Sequence, residues 1–353
     1  MHTYSNIYNS TTERKVSALF NNLIALDSYQ RAADPYILGS TVAAERCTIV
    51  MPPGGTVVGS DLIVTESAYE LSINNTTKWD SYVDAATRAG SDFYLWMTPA
   101  GTVLISSSSI TPTGYTYGTC RKIGGFHCLC ADVGVIADHS LSGFLAGDIL
   151  PMSIWDQINR PTCSPEGMVR HPLLPWWCDI YLQSGTGKDA GSFYGEAFTA
   201  GRNWMDCIDD LAAIGKQMLS DQLFQIFAAG SNEETNILGS ENPITCGGHL
   251  DTASRRMVSD VGCEDACGVV YQWIDEQRGQ ILNLPDTGDP AFAYYDLPGN
   301  RGFMYIQGSN DVALLAGGAW SYGAVCGSRC RSATHARWYT LSTIGCRGCA
   351  RSR

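Results

Sequence analysis

Residues 317–353 read GGAWSYGAVCGSRCRSATHARWYTLSTIGCRGCARSR, and two kinds of position alternate along them. Gly317, Gly318, Trp320, Gly323, Gly327, Arg329, Arg331, Trp338, Gly345 and Arg347 have the character of a frame: turns, aromatic anchors and arginines seated on backbone carbonyls. Ala319, Ser321, Tyr322, Val325, Thr334, His335, Ala336, Tyr339, Leu341 and Thr343 mix small, polar, aromatic and aliphatic side chains. They keep no period of 2 or 3.6, so neither strand nor helix patterning accounts for them. Composition alone also fits a glycine-rich, loop-dominated end to a β-rich domain, with Trp320 and Trp338 as core anchors. The sharper reading is a rigid frame that displays exchangeable side chains. It expects the first set buried and the second set on one exposed face.

The rest of the chain narrows the choice. With 353 residues, 44% hydrophobic and 16% charged, it can bury a large core, and two domains are the natural expectation. A net charge of −12 argues against phosphate backbones as the main partner. The opening MHTYSNIYNSTTERK is not a basic-then-apolar leader, and no apolar run is long enough to cross a bilayer. Synthesis in a cytoplasm then leaves the 14 cysteines as free, mostly buried thiols. Of the close pairs Cys128/Cys130, Cys263/Cys267, Cys326/Cys330 and Cys346/Cys349, only the last is a CxxC, and one CxxC is not a zinc site. No cofactor is expected, with a structural calcium left open.

Apolar spacing of Val16, Leu19, Phe20, Leu23, Ile24 and Leu26 predicts a helix over 14–32. From Thr48 onward short β-like runs alternate with Gly, Pro and Asn turns, as far as the polar stretch 106–118. That stretch is the linker candidate. It divides the chain into a β-rich attachment or assembly domain, 1–118, and a second domain, 119–353, with its variable region at about 317–348. In the second domain a short helix is expected over Ser153–Asn159 and one long helix over 203–228, with two strand-like runs around a glycine pair in 121–136, a strand ending in a turn over 175–187, and strands at 268–274, 302–308 and 311–318. The pattern is α+β.

Classical chemistry finds little support. SGTGKD at 184–189 lacks the earlier glycine and the Ser or Thr of a phosphate loop, since Leu182 and Asp189 hold those places. Glu264, Asp265, Glu233, Glu234 and Asp251 read as solvated or capping carboxylates. His127, His139, His171 and His249 read as structural histidines.

Two segments together carry a resemblance. VGCEDACGVVYQWI (261–274), followed by the GG, W, GSRCR and IGCRG pieces of 317–348, resembles the C-type lectin fold in its formylglycine-generating-enzyme-like branch. Gly268, Tyr271 and Trp273 match the first motif; Gly317, Gly318, Trp320, Arg329, Arg331, Gly345 and Arg347 match the second. The resemblance covers roughly residues 120–353. Within the branch the chain is similar to the variable proteins of diversity-generating retroelements, phage tropism determinants among them, and 139–169 resembles the body of such proteins. In that family adenine-directed mutagenesis rewrites asparagine codons and never yields Trp, Lys, Glu, Gln or Met. Residues 317–353 contain no Lys, Glu, Gln or Met.

The resemblance therefore implies a C-terminal C-type lectin fold behind a β-rich N-terminal domain. It implies a viral or cell-surface attachment protein that binds a protein or glycan receptor, with no nucleic acid, no membrane insertion and no enzymatic activity. Its location would be a virion tail or a cell surface, and its assembly a homo-oligomer such as a trimer. The implied ligand-binding positions are the ten of the second set, with Tyr322, His335 and Tyr339 as energetic centres. The implied scaffold is Trp273, Gly317, Gly318, Trp320, Arg329, Arg331, Trp338, Gly345 and Arg347. An oxidase of the same branch would carry reactive cysteines where Tyr322 and Gly327 stand. A purely structural virion protein is the third reading.

Overall fold

The computed structural model describes residues 37–65, 69–278, 293–296, 303–306 and 312–353; the helix expected over 14–32 lies outside them. The N-terminal half is built on an antiparallel sheet in the order Val103–Ser106, Asp92–Met97, Arg121–His127, Trp155–Asp156. The central strand, DFYLWM, shows why it forms there. Its alternate residues Phe93, Leu95 and Met97 enter one apolar cluster, while Tyr94 and Trp96 enter another on the opposite face. A second sheet (Leu38–Gly39, Thr48–Met51, Tyr69–Ser72) and a hairpin (Gly54–Val58 with Asp61–Thr65) complete this half. Ile37, Ile49, Leu71, Phe126 and Ile154 close its core.

This sheet corrects the boundary at 118. Val103–Ser106 and Arg121–His127 both pair with Asp92–Met97, so the polar 106–118 segment joins the two strands that flank it in one sheet rather than two domains. Its polarity serves local turns: the Asp80 carboxylate accepts from Ser106 Oγ (2.8 Å) and from the Thr113 amide (2.7 Å). The first unit continues to about residue 156, where Trp155–Asp156 takes the sheet edge.

The C-terminal half carries a mixed six-stranded sheet in the order Ala293–Asp296, Phe303–Ile306, Gly327–Ala336, Val312–Gly317, Tyr271–Arg278, Ile344–Gly345. A four-stranded antiparallel sheet ties the last strand, Gly348–Arg351, between Trp176–Asp179 and Gln217–Met218. Strands outnumber helices throughout, and the α+β class holds.

Two helix expectations change. The 203–228 stretch forms two helices, Trp204–Ala213 and Asp221–Phe227. Gly215, at φ +74°, turns the chain after the first, Gln217–Met218 then pairs with the last strand, and the Ser220 side chain caps the second helix. Apolar spacing ran through unbroken because both helices bury a face. Ser153–Asn159 is a single turn (Pro151–Ser153) and a two-residue strand; the Asp156 carboxylate then accepts from the Ile158 and Asn159 amides, which holds a turn in place of a helix.

Candidate ligand-display surface

The segment 317–348 starts at the end of Val312–Gly317, where Gly317 (φ +91°) and Gly318 (φ +82°) turn the chain. A Cβ on Gly318 would lie 2.7 Å from Cys326 Sγ and 2.9 Å from its Cα, so only glycine lets these two segments approach. Trp320 is half-buried, and its amide donates to the Val269 carbonyl at 2.9 Å.

Two arginines then fasten the frame. Arg331 is buried; its guanidinium pairs with the Asp221 carboxylate, donates to the Ser328 and Cys330 carbonyls (2.9 and 2.7 Å), and lies 4.9 Å over the Phe224 ring. Arg347, 2% exposed, donates to the carbonyls of Asp179, Ile180 and Glu264 and to the Gln272 side chain. Trp273 is buried, its indole donating to the Arg202 carbonyl at 3.1 Å, and Gly345 is buried beside it in the sheet.

Two frame expectations fail. Arg329 is exposed on Gly327–Ala336, and Trp338 is 55% exposed. Trp338 follows the last strand pair, Val312 with Ala336, in a turn where the Tyr339 amide donates to the Ala336 carbonyl; among the described residues no strand pairs beyond it to cover the ring. Trp338→Ala is therefore expected to cost under about 1 kcal/mol in urea unfolding, the scale of surface positions rather than core anchors. A loss of about 3 kcal/mol would restore the anchor reading.

The display set divides as well. Ser321, Tyr322 and Tyr339 are exposed, and Val325, His335, Ala336, Leu341 and Thr343 are half-buried. Ala319 and Thr334 are buried, against expectation. Ala319 bridges to Val269 and its carbonyl accepts from the Tyr322 amide and the Cys326 thiol. Thr334 sits in an irregular part of the sheet, its hydroxyl 3.0 Å from that of Ser332.

Five of the remaining members, Tyr322, His335, Tyr339, Leu341 and Thr343, gather around one cluster. Tyr322 packs edge-on against Tyr271 with ring centres 5.3 Å apart. The Thr343 carbonyl accepts from the Tyr271 amide, and Leu341 packs on the same cluster of Tyr271, Trp273 and Ile344. His335 pairs with Ala313 of that cluster and stacks on Tyr339 at 4.3 Å. Burial lowers the pKa of His335, favouring a neutral ring. Trp338 was missed as a surface residue, and its place one residue before Tyr339 in a turn was the available signal.

The cysteines in this frame are poor nucleophiles. Burial pushes the Cys326 thiol up to about 12 and the Cys330 thiol up to about 11. The carboxylates behind the frame are not solvated: Glu264 pairs with Arg256 at 2.7 Å and Asp265 accepts from the Gly247 amide at 2.6 Å, both fully buried. Asp251 caps, accepting from the Ala253 and Arg255 amides. Among the described residues no three His, Cys, Asp or Glu side chains are placed to hold a metal ion, and no helix is long and apolar enough to cross a membrane.

A family model described as "Mtd second domain" matches residues 53–156, the unit that the first sheet delimits. The tail fiber receptor-binding protein of Bordetella phage BPP-1 is 29% identical over 279 residues, which cover 72% of this chain and 68% of that protein. The solved structures of the Major Tropism Determinant I1 and M1 variants share 22% and 24% identity with it. Each superposes with a TM-score of 0.68 over 91% of this chain and 84% of theirs. The C-terminal half thus has the C-type lectin fold of those proteins. The chain is thus similar to tropism determinants in the matched unit and in its fold, and the segment 317–348 is mounted on that lectin scaffold.

Proposed function

We propose that this chain is a receptor-binding protein of a phage tail or similar attachment structure, which presents variable side chains on a lectin frame to a protein or glycan of a cell surface. The observation that carries the reading is the exposure of Tyr322, Trp338 and Tyr339 beside a buried glycine and arginine frame. Tyrosine and tryptophan give large contact area at small entropic cost, which suits a surface that must bind whatever it meets. The variable positions are Ser321, Tyr322, Val325, His335, Ala336, Tyr339, Leu341 and Thr343, with Trp338 as an invariant aromatic among them. Ala319 and Thr334 vary only as far as their buried sites allow. Assembly into a trimer would multiply a weak single contact. The raised thiols of Cys326 and Cys330 support a binding role over an oxidase.

Sequencing the locus from independent isolates tests the proposal. Substitutions should fall on template adenines in the codons of those eight positions, beside a reverse transcriptase and a near-copy of the 3′ end. Gly317, Gly318, Arg331 and Arg347 should not change. An even spread of substitutions, or none, overturns the reading. In the purified chain, Tyr322→Ala with Tyr339→Ala should weaken adsorption to the host cell at least about tenfold, while Tm moves by no more than about 3 °C.

A further inference from the structure

A cleft of about 600 Å³ is lined by none of the variable positions. One wall is the end of the first sheet, where Asp92 and His127 face each other as a strand pair. The other is the loop that follows the hairpin Gln183–Ser184 and Gly191–Ser192, bearing Phe193, Tyr194 and Glu196.

Three features of the lining point to one class of ligand. Asp92, Asp189 and Glu196 bring three carboxylates, and among the described residues none of them has a lysine or arginine within 4.0 Å in an ion pair. Phe193 and Tyr194 present rings that are 48% and 39% exposed. Both rings are seated on backbone: a Cβ on Gly90 would lie 2.2 Å from the Tyr194 ring, and one on Gly191 would lie 2.3 Å from the Phe193 ring. Such glycines let the chain press against the rings and hold them in place.

His127 is buried, its Nε2 2.9 Å from the Tyr181 hydroxyl; its Nδ1 lies 3.1 Å from Asp92 Oδ1 without hydrogen-bonding geometry, and that carboxylate accepts from the Gly167 amide at 3.2 Å. Ser184 Oγ, in the opposite wall, is buried without a hydrogen-bond partner among the described residues.

We propose that this cleft binds a small organic ammonium. Aromatic faces and carboxylates both attract a diffuse positive charge, and they repel phosphates and carboxylates. The space suits a small molecule. A hard metal ion would need converging oxygen ligands, and the described residues do not supply three at one point.

Isothermal titration of the full-length protein with choline, and with its neutral isostere 3,3-dimethyl-1-butanol, tests the site. Choline should bind saturably at one site with Kd at or below about 1 mM, and the isostere about tenfold more weakly, the size of a ~1.4 kcal/mol charge–aromatic contribution. Glu196→Gln and Phe193→Leu, both at exposed positions, should each weaken choline about three- to tenfold without shifting the melting curve, whereas Tyr322→Ala should leave it unchanged. No saturable choline binding, equal affinity for the isostere, or choline affinity untouched in both cleft variants would each overturn the proposal.

Discussion

Arg347→Ala should cost about 3–5 kcal/mol of unfolding free energy, the range for removing a buried charged group whose partners stay behind. The guanidinium is 2% exposed and spreads its donors over four acceptors on three separate segments. Nη1 reaches the Asp179 carbonyl at 2.8 Å and also that of Ile180; Nη2 reaches the Glu264 carbonyl, and Nε the Gln272 amide oxygen at 3.2 Å. Alanine leaves those acceptors buried and unpaired and opens a cavity beneath the C-terminal strand. Lysine cannot reproduce a planar fork from a single ammonium, so Arg347→Lys should recover less than half of the loss. Urea unfolding of the full chain at constant m-value measures both. A cost below about 1 kcal/mol would mean that the guanidinium does not tie these segments together.

The second large effect concerns Arg256 and Glu264, whose side chains are each 1% exposed. Arg256 Nη2 contacts both Glu264 oxygens, at 2.8 and 2.7 Å, and Nη1 donates to the His249 carbonyl at 2.8 Å. The Gly248 amide donates to Glu264 Oε2 at 3.1 Å. Arg256→Met or Glu264→Leu alone strands one buried charge and should cost about 3–5 kcal/mol. The double replacement strands neither, and should recover at least half of the sum of the single losses. Additive losses in the cycle would show that each residue acts through packing and not through the pair.

These two predictions mark how legible the chain was. Arg347 stood out because arginine between glycines near a chain end suggests a cation seated on carbonyls. Glu264 also stood out, but as a solvated carboxylate, because nothing local pairs it. Its partner lies eight residues earlier, across a turn in which the Ser259 hydroxyl accepts from the Cys263 amide, and only the folded chain brings the two together. The helix break at Gly215 was legible in principle: a glycine interrupts the apolar spacing just before Lys216, and the pairing of Gln217–Met218 with the last strand makes the interruption real.

Local chemistry along the chain was enough to establish the α+β class and the glycine pair that turns the frame. Backbone conformation and residue type are properties of a few neighbouring residues, so they can be read in one dimension. Exposure is not such a property. Ala319 is covered because Val269 meets it from elsewhere in the fold, and Thr334 is buried where the pairing with Val312–Gly317 is irregular, while Trp338 stands in solvent just past the last strand pair. The limit of the first unit likewise depends on which strand pairs with Asp92–Met97. Those outcomes belong to the tertiary structure, since burial depends on what lies on the far side of a side chain.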